Sequence, residues 1–263
     1  MPAIGISMCT IGWRADRRSY QGPNLVQPLP EVLASIHAAG CDGAELWGPH
    51  VAAAGAAVVR SALQRLGLQA PMLSDYFNFT RSPESAAASM AHGLAVLATA
   101  VEVGAGAIRI FTGNHRSADA TPEQWQRCAD CLRELCRSAA PHGIVLAAEL
   151  HDWNLMDTPE GAERLIALVD QPNMRLIFHP SAFGAATLAA YERLRPHIHH
   201  VHASNGLHPL AEGPVPWPDL IERMRSDGWS GHLAIEWFGP DPVAVAQREC
   251  AYLRGLLATQ QQA

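Results

Sequence analysis

Ile144-Val145-Leu146-Ala147-Ala148-Glu149 is a short apolar run that stops on a carboxylate, and beyond a polar stretch a helical pattern opens at Pro159 and continues to Val169. Such a run, followed by a helix, reads as a buried strand of a strand–helix unit. The unit recurs outward in both directions. Strand candidates are Ala3 to Met8, Gly43 to Leu46, Gln69 to Leu73, Ala107 to Phe111, Ile144 to Glu149, Arg175 to Phe178, His199 to His202 and His232 to Glu236. Helix candidates between and after them are Leu29 to Ala39, Ala52 to Leu66, Pro83 to Val103, Pro122 to Ala140, Pro159 to Val169, Thr187 to Leu194, Pro218 to Ser226 and Pro242 to Leu257. Several open with Pro, whose missing N–H costs little in a first turn. Others close on Gly, as at Ala39-Gly40, Leu66-Gly67 and His142-Gly143, where a left-handed residue is favoured. Eight units in 263 residues predict a (β/α)8 TIM barrel, a single domain over 1–263, with a doubly wound open sheet as the rival.

Composition narrows the function classes. The net charge of −6 is spread without a basic stripe, so no nucleic-acid partner is expected. All 19 basic residues are Arg and none is Lys, which excludes a lysine Schiff base. Met1-Pro2-Ala3-Ile4-Gly5 has no basic segment leading into an apolar one, and no membrane span is expected, so the cytoplasm is the expected compartment. The six cysteines then read as reduced core residues, including the Cys128-x-x-Cys131 pair inside a helical pattern. The expected partner is a small-molecule substrate, and a homo-oligomer is left open.

In a barrel, active-site groups project from the C-terminal ends of strands. That rule selects Glu45, Arg109, Glu149, His179, His202 and Glu236. Ionisable groups there must be paired or metal-bound to offset desolvation. Glu149, His179, His202 and Glu236 close strands five to eight consecutively, and together make a mixed nitrogen–oxygen set suited to Mn²⁺, Co²⁺, Fe²⁺ or Zn²⁺.

At these residues the sequence resembles the xylose isomerase-like superfamily of barrels, with its sugar and sugar-phosphate isomerases and epimerases, inosose dehydratases and endonuclease IV. The likeness is carried by Gly40-Cys41-Asp42-Gly43-Ala44-Glu45-Leu46-Trp47, Ile108-Arg109-Ile110-Phe111-Thr112-Gly113, Leu146-Ala147-Ala148-Glu149-Leu150-His151, Asp157-Thr158-Pro159-Glu160, His199-His200-Val201-His202 and Leu233-Ala234-Ile235-Glu236-Trp237-Phe238-Gly239. It implies a metal held by Glu, Asp, His and Glu on strands five to eight, a pattern that Glu149, His202 and Glu236 match. Where such enzymes tend to show Asp-Pro-Ser-His, this chain has His179-Pro180-Ser181-Ala182, and Ser204-Asn205 replaces a frequent Lys-Asp. A neutral His179 lowers the negative charge of the set by one and favours softer ions.

The expected reaction is that of a divalent-metal-dependent isomerase or epimerase on a small hydroxycarbonyl substrate. Glu149 and Glu236 would move a proton next to the carbonyl while a Lewis acid stabilises the enediolate. The same constellation serves a lyase or dehydratase on a keto-sugar or keto-cyclitol. An endonuclease IV-like phosphodiesterase would want further ligands and a basic groove, and a non-catalytic binding barrel would not need the two glutamates. Candidate substrate contacts are Glu45, Arg109, His151, His115, His208 and the tryptophans Trp13, Trp47, Trp153 and Trp237, all following strand ends.

Overall fold

The computed structural model describes residues 3–16 and 25–259; Met1 and Pro2, read above as the start of a chain without a leader, lie outside them. Eight parallel strands close into a barrel in sequence order, with β1 beside β8. They are β1 Gly5–Cys9, β2 Gly43–Trp47, β3 Gln69–Ser74, β4 Ala107–Ile110, β5 Val145–Glu149, β6 Met174–Phe178, β7 Ile198–Ala203 and β8 His232–Ile235. The helices of the outer ring are α1 Leu29–Ala38, α2 Gly48–Ala54, α3 Ala56–Leu66, α4 Pro83–Val103, α5 Pro122–Ala139, α6 Pro159–Val169, α7 Thr187–Leu194, α8 Trp217–Ser226 and α9 Pro242–Thr259. The barrel expectation holds. One helix candidate does not survive intact: the pattern from Ala52 to Leu66 is divided by Gly55, whose φ of 85° ends α2 before α3 begins. Only glycine adopts that backbone cheaply.

The two-residue period of the strands sorts their side chains into two environments. Ile6, Met8, Leu46, Leu73, Ile108, Ile110, Leu146 and Phe178 turn outward to meet the helices in one large core. The inward positions fill the barrel in layers. Met72, Ala107, Ala147 and Ile177 form one apolar cluster inside, and Cys9, Ile11, Trp47 and Ala234 another, with Phe238 against it. Small residues among them leave room along the axis for a chain of buried polar groups: Ser7, Glu45, Ser74, Arg109, Glu149, His200 and His202. Helix α4 is long and apolar enough by composition to cross a membrane, but here Ala86, Val96, Leu97, Ala100 and Val103 face the barrel between α3 and α5.

The loops that frame the mouth are pinned by caps. Thr121 and Gln124 close a reciprocal box at the start of α5, and Thr158 accepts from the N–H of Gly161 at the start of α6. Gly12 lies against Trp237, the residue pair where the loops after β1 and β8 meet; a Cβ on Gly12 would sit 2.1 Å from the Trp237 carbonyl oxygen.

Candidate metal centre

Glu149 is the last residue of β5, His202 lies within β7, and His179 and Glu236 directly follow β6 and β8. Because these strands are neighbours, one ligand atom from each of the four residues falls within 4.8 Å of all the others. His179 Nε2 stands 2.9 Å from Glu236 Oε2, and His202 Nδ1 stands 3.1 Å from Glu149 Oε1 and 3.8 Å from Glu236 Oε1. All but the half-buried His179 are buried.

The surroundings orient both rings. Ser181 Oγ is 2.9 Å from His179 Nδ1, leaving Nε2 for the quartet. His202 Nε2 faces Glu45 Oε2 at 3.0 Å, and since a carboxylate only accepts, that nitrogen carries a hydrogen, which turns Nδ1 towards Glu149 and Glu236 as the atom that could ligate once its own proton is gone. Two ring nitrogens and two carboxylates at this spacing, each imidazole backed by a hydrogen-bonding partner, fit a divalent cation. Glu45 thus occupies a different place from the substrate contact expected above. Its carboxylate is buried and hydrogen-bonded to His202, His200 and Ser74.

Without a cation the same geometry binds a proton. Burial alone would pull the His202 imidazole down, but the carboxylates of Glu45, Glu149 and Glu236 push it well above its ordinary value. Burial would likewise raise Glu149, yet His202, Arg109 and His179 hold it down at about 2. A cation at Nδ1 must expel the His202 proton. Metal affinity is therefore expected to rise with pH through neutrality, with release of about one proton per ion. Calorimetry in two buffers of different ionisation enthalpy counts that proton, and none released would mean that His202 is not a ligand.

Arg109, on β4, is 2% exposed. Its Nη1 lies 3.4 Å from Glu149 Oε2, while Nε and Nη2 are buried without a hydrogen-bond partner among the described residues. Its guanidinium lies 4.9 Å from the ring centre of Tyr76 and 5.0 Å from that of Phe111. Neither aromatic was among the expected contacts. Both directly follow a strand, Phe111 after β4 and Tyr76 one residue further on from β3, and position after a strand end was the available signal.

The remaining expected contacts divide. His151 is exposed beside Phe111, at 5.5 Å between ring centres, and its Nδ1 meets the carbonyl of Asp152 rather than any ligand. His115 is taken up by Thr80 and Gln124, and His208 is exposed on the turn after β7. Trp13, Trp47 and Trp237 are buried: Trp47 walls the interior cluster, Trp13 packs in the outer core, and Trp237 donates to the carbonyl of Pro240. Trp153 is 63% exposed, its backbone at a φ of 66° and its ring 4.2 Å below the Arg116 guanidinium. Three of the four rings are thus buried and one is exposed.

Residues 33–256 match the model of the xylose isomerase-like TIM barrel family. The chain belongs to that family. A curated relative, the 3-dehydroshikimate dehydratase of Bacillus anthracis, is 26% identical over 94% of this chain and 95% of its own. Solved structures of other proteins share the fold. The probable 3-DHS dehydratase from Bacillus anthracis superposes with a TM-score of 0.83 at 23% identity, covering 95% of this chain and 99% of the other. For an L-ribulose 3-epimerase the values are 0.82 and 18%, over 98% and 96% of the two chains. The 3-keto-D-glucoside 4-epimerase from E. coli gives 0.78 and 21%, over 96% and 99%.

The ligand pattern that the family resemblance implies has Asp where this chain has His179, so that residue offers a direct test. His179→Asp is expected to shift ion preference towards Mn²⁺ and Mg²⁺ over Zn²⁺, because it replaces a nitrogen donor with a charged oxygen. Competitive binding measures this, and an unchanged preference would place His179 outside the ligand set.

Proposed function

We propose that this chain is a metal-dependent lyase that removes water from a small cyclic hydroxyketone carrying a carboxylate, of the 3-dehydroshikimate kind. The observation that carries the reading is Arg109: a buried guanidinium beside the quartet, whose Nε and Nη2 have no hydrogen-bond partner among the described residues. Buried N–H groups of a cation are costly to leave unmade, and their forked geometry fits a substrate carboxylate. The hydroxyls of a neutral sugar could accept from the same N–H groups, but without the charge-assisted, two-pronged match that a carboxylate offers. The 3-dehydroshikimate dehydratase of Bacillus anthracis, similar over nearly the whole chain, supports the same choice.

A divalent cation bound by Glu149, His179, His202 and Glu236 would supply Lewis acidity towards the substrate carbonyl. Arg109 would hold the carboxylate, with Tyr76 and Phe111 flanking it as an apolar wall. Glu149 is engaged by Arg109 and His202 and is held deeply ionised, which makes it a weak base. Glu236, hydrogen-bonded to His179 at the mouth, is the better candidate to take the proton from the carbon next to the carbonyl. The carboxyl so formed returns that proton to the departing β-hydroxyl, and water leaves.

Returning the proton to carbon instead would give the isomerase or epimerase, a second reading supported by the shared quartet alone. The assay that separates them offers the protein, loaded in turn with Mn²⁺, Co²⁺ and Zn²⁺, both 3-dehydroshikimate and neutral ketoses. Near-ultraviolet absorbance of an aromatic product reports dehydration, and deuterium uptake without water loss reports isomerisation. Turnover confined to neutral ketoses would overturn the lyase.

A further inference from the structure

The interior of this barrel carries a polar assembly that the proposed chemistry does not consume. Glu45 Oε2 accepts from His200 Nε2 and from His202 Nε2, each at 3.0 Å, and Ser74 Oγ donates to Oε1. The four residues come from β2, β3 and β7, so the two oxygens of one buried carboxylate are tied to a neighbouring strand and to a strand across the barrel. His200 is 1% exposed and His202 fully buried. The two rings stand nearly perpendicular, at 86°, with centres 5.7 Å apart. A carboxylate bonded to His202 alone could turn about its own side chain and carry the imidazole with it. Gripped also by His200 and Ser74, it has one orientation.

We propose that His200 and Ser74 are positioning residues for the metal centre: by fixing both oxygens of Glu45 they hold the His202 ring with Nδ1 directed at Glu149 and Glu236. The inference rests on the reading of the quartet as a metal site. It concerns affinity and coordination geometry, and it is separate from the choice between lyase and isomerase. An alternative account makes the assembly a set of mutually satisfied polar groups that stabilises the fold and does nothing for the ion. The two differ in what they forecast for the bound metal.

The test uses Co²⁺, whose visible absorption reports ligand geometry, with the full chain and its variants His200→Phe, His200→Gln and Ser74→Ala. Phe removes the donor and has space, because His200 also borders a cavity of about 540 Å³ at the opposite pole of the barrel. Gln keeps an N–H in nearly the place of Nε2. His200→Phe is expected to lose about 10- to 100-fold in Co²⁺ affinity, the usual cost of removing a partner behind a metal-bound imidazole, and to change the visible spectrum. His200→Gln should restore both, and Ser74→Ala should lose affinity in the same direction. A folded His200→Phe with wild-type affinity and spectrum, losing only thermal stability in the metal-free state, overturns the proposal. Should His200→Phe not fold, Ser74→Ala decides on the same two readouts. Wild-type protein that takes up no Co²⁺ overturns the metal reading as well, whereas wild-type binding left untouched in the variants overturns this inference alone.

Discussion

Glu236→Gln is expected to keep the fold and much of the metal affinity while losing at least about 100-fold in kcat, the range that a positioned acid–base group contributes. The amide retains an oxygen for the quartet and cannot take up a proton. Its NH2 group now faces His179, whose Nε2 stands 2.9 Å from the present carboxylate, so a modest change in affinity is expected alongside. Single-turnover kinetics on metal-saturated protein separates the two effects. Wild-type turnover would reduce Glu236 to a ligand and move the proton-transfer role to Glu149.

Replacing Arg109 has the second large consequence. Arg109→Gln removes the buried cation that the proposed substrate needs, and truncating one side of a desolvated charge pair costs about 2 to 5 kcal/mol, roughly 30-fold to several thousand-fold in kcat/KM. Arg109→Lys should rescue little, since an ammonium keeps the charge and loses the fork. Arg109 also touches Glu149, so metal affinity must be measured in the same variants. Loss confined to carboxylate-bearing substrates, at saturating metal, supports the carboxylate contact. Equal loss on neutral ketoses would assign Arg109 to Glu149 alone.

The eight strands were legible because each is a short apolar run, as the barrel buries both faces of its sheet. The quartet was legible for a related reason: Glu149, His179, His202 and Glu236 end such runs, and consecutive strands are neighbours in a closed parallel barrel. What stayed hidden depends on register. Glu45 meets His200 and His202 across the interior, and Ser74 reaches Glu45 only through the stagger between β2 and β3, where Gly43 and Glu45 flank an irregular pairing. No spacing along the chain encodes those contacts. Ser181 behind His179 was likewise beyond a reading of strand ends, because loop conformation decides where it points.

The seam between β1 and β8 joins the two ends of the chain. Gly5 pairs with His232 and Met8 with Ile235, and just above them the backbone of Gly12 closes on Trp237, one residue beyond Glu236. Pairings of such sequence separation pay the largest loop-closure entropy and set a slow pace for folding. One of the four proposed ligands therefore arrives on the strand that shuts the ring. A chain paused with β1 to β7 assembled would hold Glu149, His179 and His202 without Glu236, and would grip an ion weakly. Uptake of metal during refolding then serves as a clock for ring closure, and any side chain at residue 12 should slow that clock.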